Sequence, residues 1–179
     1  IVSLISFLLG LIMAFMSALQ LKQFGANIYV ASLVSLSMVR ELGPIMTAII
    51  TIEGIGEKYA AELKGIGIAT VEALLKAGAT PKGRQEIAEK TGISDKLVLE
   101  WTNRADLFRI KGVASEYSDL LEEAGVDTVV ELSKRDAKKL AATLVEVSKK
   151  KNLTNAVPGE KRVKGWIAQA KKLPRAISY

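Results

Sequence analysis

Residues 52–63 read Ile52-Glu53-Gly54-Ile55-Gly56-Glu57-Lys58-Tyr59-Ala60-Ala61-Glu62-Leu63, and 58 positions later the chain returns to Ile110-Lys111-Gly112-Val113-Ala114-Ser115-Glu116-Tyr117. At the same offset Leu63, Gly67, Ile68, Thr70 and Leu74 correspond to Leu121, Gly125, Val126, Thr128 and Leu132. So many matches at one spacing mark an internal duplication, with units 52–109 and 110–179. Each unit also makes local sense. Gly67 and Gly125 fall where a helix should stop, with Ile68 and Val126 placed to fold back as the apolar clip of a C-cap. Thr70 and Thr128 then open the next helix, and Thr128 with Glu131 predicts a capping box.

An apolar residue leading into Gly-Ile-Gly and then a helix is the helix-hairpin-helix pattern. The glycines serve backbone that runs at positive φ or too close to a neighbour for a side chain. The amides that follow point out of a helix N-terminus, which suits phosphate oxygens. The candidate nucleic-acid contacts are therefore Gly54, Ile55, Gly56 and Lys58 in the first hairpin and Lys111 and Gly112 in the second. The second hairpin is the weaker one, since Ala114 replaces a glycine and Glu116 replaces the lysine. Residues 51–179 hold 23 basic and 18 acidic side chains, a weak electrostatic footprint for DNA. Protein contact therefore stands beside phosphate contact as a reading of the hairpins.

Periodicity predicts further helices near 82–90, 95–107, 136–151 and 159–172. Their inward faces carry Ile87, Leu97, Val98 and Trp101 in the first unit, and Leu140, Leu144, Val147, Val163 and Trp166 in the second. The two tryptophans read as core anchors. Lys149-Lys150-Lys151 and Lys171-Lys172 read as cations at helix C-termini. Arg84 to Trp101 has the spacing of a helix-turn-helix. Its second helix, however, offers Asp95 and Glu100 beside Lys96 and Asn103, a poor face for a major groove, so a tight helix corner is expected.

The 179 residues contain no cysteine and no histidine. Disulfides, thiolate or imidazole chemistry and the usual zinc sites are thereby excluded. Gly54-Ile55-Gly56-Glu57-Lys58 is not a phosphate-binding loop of the GxxxxGK[ST] type. The carboxylates are scattered, with no pair marked for acid–base work. The expectation is a non-enzyme with no cofactor and no metal.

The first fifty residues differ in kind. Only Lys22, Arg40 and Glu41 are charged there. Ile1 to Leu21 is uncharged and as a helix would reach about 31 Å, the thickness of a bilayer core. A second apolar run spans Ile28 to Ile50, interrupted by Arg40-Glu41 and Gly43-Pro44. A hairpin of two transmembrane helices over 1–50 is predicted, with Gly10, Ala14 and Ala18 at a spacing that lets helices approach closely. A cleaved signal is disfavoured by the length of the run and by Gln20-Leu21-Lys22 as a cleavage site.

Leu19-Gln20-Leu21-Lys22-Gln23-Phe24-Gly25-Ala26 and Leu36-Ser37-Met38-Val39-Arg40-Glu41-Leu42-Gly43-Pro44-Ile45-Met46-Thr47-Ala48 resemble the MlaE family, permease subunits of ABC-type systems that move phospholipid between bacterial membranes. The resemblance covers about residues 3–50. It implies an inner-membrane location, an ABC ATPase as partner, and a place for Arg40 and Glu41 near the lipid-handling cavity. Two helices do not make that cavity, so transport by this chain alone is not expected. Residues 52–179 resemble an uncharacterised bacterial domain family built on helix-hairpin-helix repeats. The strings that carry the likeness are Ala77-Gly78-Ala79-Thr80-Pro81-Lys82-Gly83-Arg84 and Trp101 to Gly112; it implies a fold and no reaction.

The expected architecture is thus all-α: a transmembrane helical hairpin (1–50) followed by a duplicated helix-hairpin-helix bundle (52–179). Lys58 and Lys64 near the membrane end favour a cytoplasmic bundle. The expected partners are the lipid bilayer, an ABC ATPase or other membrane subunit, and DNA in the alternative reading.

Overall fold

Short polar side chains start most of the helices. Thr70, Thr80, Ser94, Thr128 and Asp136 accept from the backbone N–H groups of Ala73, Gly83, Leu97, Glu131 and Lys139, at 2.9–3.4 Å. Each satisfies a donor that the first helical turn leaves without a partner. The resulting order, in a computed structural model that describes residues 46–154 and 156–179, is α1 (Glu57–Gly65), α2 (Val71–Ala77), α3 (Pro81–Thr91), α4 (Asp95–Leu107), α5 (Ser115–Glu123), α6 (Val129–Ser133), α7 (Ala137–Lys151) and α8 (Glu160–Ala170). The described residues are all-α, apart from an isolated bridge between Ala48 and Thr70 and a 3-10 turn at Ile49–Thr51.

The chain divides after Ile45 into two units, and all the helices described here lie in Met46–Tyr179. The expected transmembrane helices over 1–45, with Arg40 and Glu41, lie outside the described residues. Among the described residues no helix is long and apolar enough to cross a membrane. The end of the second apolar run, Met46 to Ile50, belongs to the second unit. The N–H of Ile49 donates to Ala69 O at 3.0 Å, and its side chain is fully buried with Ile52 in the first core. The sequence reading places this stretch in a membrane helix, whereas Ile49 packs into the first helical core and Ile50 stays exposed.

Helices α1 and α5 end alike. Ile68 N–H reaches back to Leu63 O (2.9 Å) and Gly67 N–H to Lys64 O (3.0 Å), with Gly67 at φ +86°. Val126 and Gly125 repeat both bonds onto Leu121 and Glu122, with Gly125 at φ +77°. This is the Schellman closure anticipated from the glycines. The capping box at Thr128 differs in one bond. Glu131 returns its carboxylate to the N–H of Asp127 (3.0 Å), one residue ahead of the cap.

The eight helices form two sets of four, α1–α4 and α5–α8, that pack in the same pairs: α2 on α4, α3 on α4 and α1 on α3, as α6 on α8, α7 on α8 and α5 on α7. Each set has its own apolar core, one running from Ile49 to Ala105 and the other from Leu107 to Ala170. Trp101 and Trp166 are 1% and 2% exposed, which makes them core anchors. Their rings meet Tyr59 and Tyr117 at 5.1 Å and 5.3 Å with nearly equal tilt. The sets join where α4 packs on α5. Arg104 crosses that joint, bonding Glu100 in its own helix (3.2 Å) and Asp119 and Glu122 of α5. The helix-turn-helix stretch is a close corner between α3 and α4, closed by Gly92 at φ +72°.

After α8 the chain returns to the first set. Ser178 N–H donates to Ala79 O (2.8 Å), Arg84 donates to Ser178 O (3.1 Å), and Ile177 is buried.

Candidate functional site

Both hairpin turns are built the same way. Ile55 N–H donates to Ile52 O (3.1 Å) and Val113 N–H to Ile110 O (2.9 Å), which places Gly54 at φ +85° and Gly112 at φ +90°. An indole covers each glycine. A Cβ on Gly54 would lie 3.1 Å from Trp101 Nε1, and one on Gly112 would lie 3.5 Å from Trp166 Nε1. Both positions require glycine for φ, and at Gly54 the close indole adds a demand for space.

The equivalence continues one turn beyond each indole. Arg104 Nη1 donates to the carbonyl of Glu53 (2.7 Å), ahead of Gly54. Gln169 takes the same place in the second set, where its Oε1 accepts from Lys111 N–H (2.9 Å) and its Nε2 donates to Lys111 O (3.4 Å). Each hairpin is thus clamped from the last helix of its own set.

The candidate residues divide between the two sets. Ile55 is buried and its side chain is a core contact. Gly56 is the N-cap of α1 with no side-chain cap, and Lys58 lies exposed one turn on, its Nζ 6.0 Å from the Tyr59 ring. The exposed carboxylates of Glu53 and Glu57 flank this turn. Lys111 and Gly112 are exposed in the second hairpin and do not join the first four.

Lys111 and Gly112 instead line a shallow groove of about 530 Å³ with Tyr117, Lys161, Arg162, Gly165, Trp166 and Gln169. Arg162 is fixed there. Its Nη1 donates to the Tyr117 hydroxyl (2.9 Å), and that hydroxyl donates to Ala156 O (2.9 Å). Glu116, expected to repel phosphate, takes a hydrogen bond from the Thr154 hydroxyl (3.2 Å) and does not line the groove.

The charge is distributed accordingly. Residues 51–109 hold 9 basic and 9 acidic side chains, whereas 110–179 hold 14 basic and 9 acidic, so the excess of positive charge within 51–179 lies wholly in 110–179. Reading the hairpins alone missed Lys161, Arg162 and Gly165; counting charge by half would have pointed to the half that holds the two cations, and nothing in the pattern marks Gly165. At the joint between the sets, burial raises the carboxyl pKa of both Asp119 and Glu122, and Arg104 opposes the rise without cancelling it. Burial, reinforced by Glu131, also raises Asp127. Among the described residues no group of three or more histidine, cysteine or acidic side chains is placed to hold a metal ion.

The family model described as Permease MlaE matches residues 1–73. That match runs beyond residue 50, where the resemblance read from the residues ended, and reaches the threonine-capped start of α2. No curated protein and no solved structure matches the chain. A second family model, described as Domain of unknown function (DUF4332), matches residues 53–173, which covers all eight helices and most of the chain. The chain belongs to the DUF4332 family.

Proposed function

We propose that this chain is a non-enzymatic adaptor, a helical interaction module held at the bacterial inner membrane by a segment of MlaE-permease type. The observation that carries this reading is the continuity of the two family matches, 1–73 and 53–173, in one chain. Arg40 and Glu41 fall within the first match, and the lipid-facing role assigned to them rests on that likeness. The eight short helices offer surface for contact, and the carboxylates near one another at the α4–α5 joint are engaged by Arg104 rather than aimed at open space. The expected partner is a membrane subunit or the ATPase of such a transporter, with the helical module on the cytoplasmic side. The test is reconstitution of the full chain in nanodiscs with an MlaE-type ATPase subunit. A complex that co-migrates on size exclusion supports the reading, and independent migration at micromolar concentrations refutes it.

The second reading is a nucleic-acid binder that contacts the phosphate backbone through the first hairpin. What favours it is the pair of glycine turns, each followed by a helix with no side-chain cap. Against it stand Glu53 and Glu57 beside Gly54-Ile55-Gly56. A gel shift at low salt, comparing the wild type with Lys58→Glu, decides: no retardation, or retardation untouched by the substitution, removes it.

A further inference from the structure

We infer that the groove between the second hairpin and α8 is a binding site for a small phosphate ester, whether a free phosphorylated metabolite or a phosphorylated lipid headgroup. The duplication supplies the control. Helices α4 and α8 superpose in sequence at an offset of 65, which pairs Val98 with Val163, Trp101 with Trp166 and Ala105 with Ala170, all of them buried. At that offset Glu100 corresponds to Gly165 and Leu97 to Arg162, while at 58 Glu53 corresponds to Lys111.

The same frame therefore carries opposite chemistry in its two copies. In the first set the position of Gly165 is taken by Glu100, whose carboxylate pairs with Arg104 at 3.2 Å, and that of Lys111 by Glu53. In the second set Gly165 leaves its position open, for a Cβ built there meets nothing within 4 Å. The rim carries Lys111, and Lys161 and Arg162 stand beside it, with no carboxylate in the lining. Arg162 is positioned in advance by Tyr117, over whose ring its guanidinium sits at 5.6 Å. Three cations around an open floor suit a group with several anionic oxygens better than a single carboxylate. The lining is confined to the second hairpin, Tyr117 and α8, the reach of a small group rather than a track along a duplex. The contacts are side chains, distinct from the hairpin amides of the nucleic-acid reading, and the inference does not depend on the adaptor reading.

The test uses the full chain in a neutral detergent, with two probes: glycerol 3-phosphate in solution, and phosphatidylglycerol mixed into the micelles against phosphatidylcholine. Binding is followed by amide shifts and by titration calorimetry. The expected result is saturable shifts at Lys111, Gly112 and Gln169 with at least one probe; a response to glycerol 3-phosphate identifies a free ester, and one confined to phosphatidylglycerol a headgroup. Gly165→Glu, which installs the residue of the first set in open space, weakens binding by about tenfold or more while the melting temperature holds. Lys150→Glu, outside the groove, leaves binding unchanged. The inference is overturned if neither probe binds, if Gly165→Glu binds as the wild type does, or if Lys150→Glu weakens binding as much. It is also overturned if only duplex DNA binds and Gly165→Glu does not affect it.

Discussion

Arg104 donates from Nη1 to the carbonyl oxygen of Glu53 at 2.7 Å, and through this one bond the last helix of the first set holds the turn that opens it. The same guanidinium spends its other donors on Glu100, Asp119 and Glu122, so hairpin, α4 and α5 meet on one side chain that is 7% exposed. Removing it leaves three carboxylates facing one another without a cation. Arg104→Ala is expected to cost about 3–5 kcal/mol, as for a buried ion pair broken on one side. Arg104→Gln, which copies Gln169, keeps a donor for Glu53 but not the charge, so it should recover only part of that loss. Urea denaturation of the two variants checks the order.

The raised pKa values at this joint fix a direction for pH dependence. Asp119, Glu122 and Asp127 bind protons more tightly in the folded protein than in the unfolded chain, since burial lifts each above its ordinary value of 3.8 or 4.5. Their ionised forms therefore detract from stability near neutral pH. That deficit is relieved as pH falls through the raised values, and the relief is complete below 3.8–4.5. Calorimetric scans are expected to show these three groups pushing the melting temperature up as pH falls from neutral toward 4.5, and Glu122→Gln is expected to flatten the rise. Arg104→Gln should steepen it, because the guanidinium that holds the shifts down is gone. A wild-type melting temperature that falls steadily over this range, with no change in Glu122→Gln, would contradict the assignment.

Much of this fold could be read from residue spacing, because what builds it is local. The threonine caps, the paired Schellman glycines and the inward tryptophans each depend on neighbours within one or two turns, and they lie where the periodicity put them. Two features depended on distance instead. The groove beside Gly165 emerges only when the offset changes from 58 to 65, a shift made by the longer α7 and the loop after it. The return of the tail to Arg84 and Ala79 uses backbone carbonyls, which leave no mark in a side-chain pattern. Ile49 was misplaced for a third reason, since an apolar residue at the edge of an apolar run gives no sign of which side will bury it.

The glycine turns predict an order of sensitivity. Gly54 and Gly112 both require positive φ, but the indole lies at 3.1 Å from a Cβ on the first and 3.5 Å on the second. Both alanine variants pay for the left-handed backbone, about 1–2 kcal/mol. Gly54→Ala must also displace Trp101, which is packed by Tyr59 and has little room to yield. Thermal unfolding should therefore rank Gly54→Ala below Gly112→Ala. Trp101→Ala and Trp166→Ala, which empty the two anchors, should each cost about 3–5 kcal/mol.

Gly83 makes the opposite point, because its φ is not positive and space alone demands a glycine. It sits in the first turn of α3, where a Cβ would come within 2.0 Å of Ala77 O and 3.3 Å of the Thr80 hydroxyl that caps the helix. The obstacle at Ala77 is backbone, so relief requires α2 and α3 to separate. Arg84, the next residue, donates to Gly78 O at 2.9 Å and holds the two helix ends together from below. The string Ala77-Gly78-Ala79-Thr80-Pro81-Lys82-Gly83-Arg84 is thus a corner whose glycines, cap, proline and buried cation each satisfy a separate steric or hydrogen-bonding need. Gly83→Ala is expected to destabilise the chain by about 1–3 kcal/mol despite the gain in helix propensity. Gly65→Ala and Gly165→Ala, at helical positions with nothing within 4 Å of the added carbon, should instead be neutral or stabilising by about 0.5–1 kcal/mol. Denaturant midpoints for the three variants, measured side by side, check the claim; equal effects would show that propensity governs here and that the corner yields.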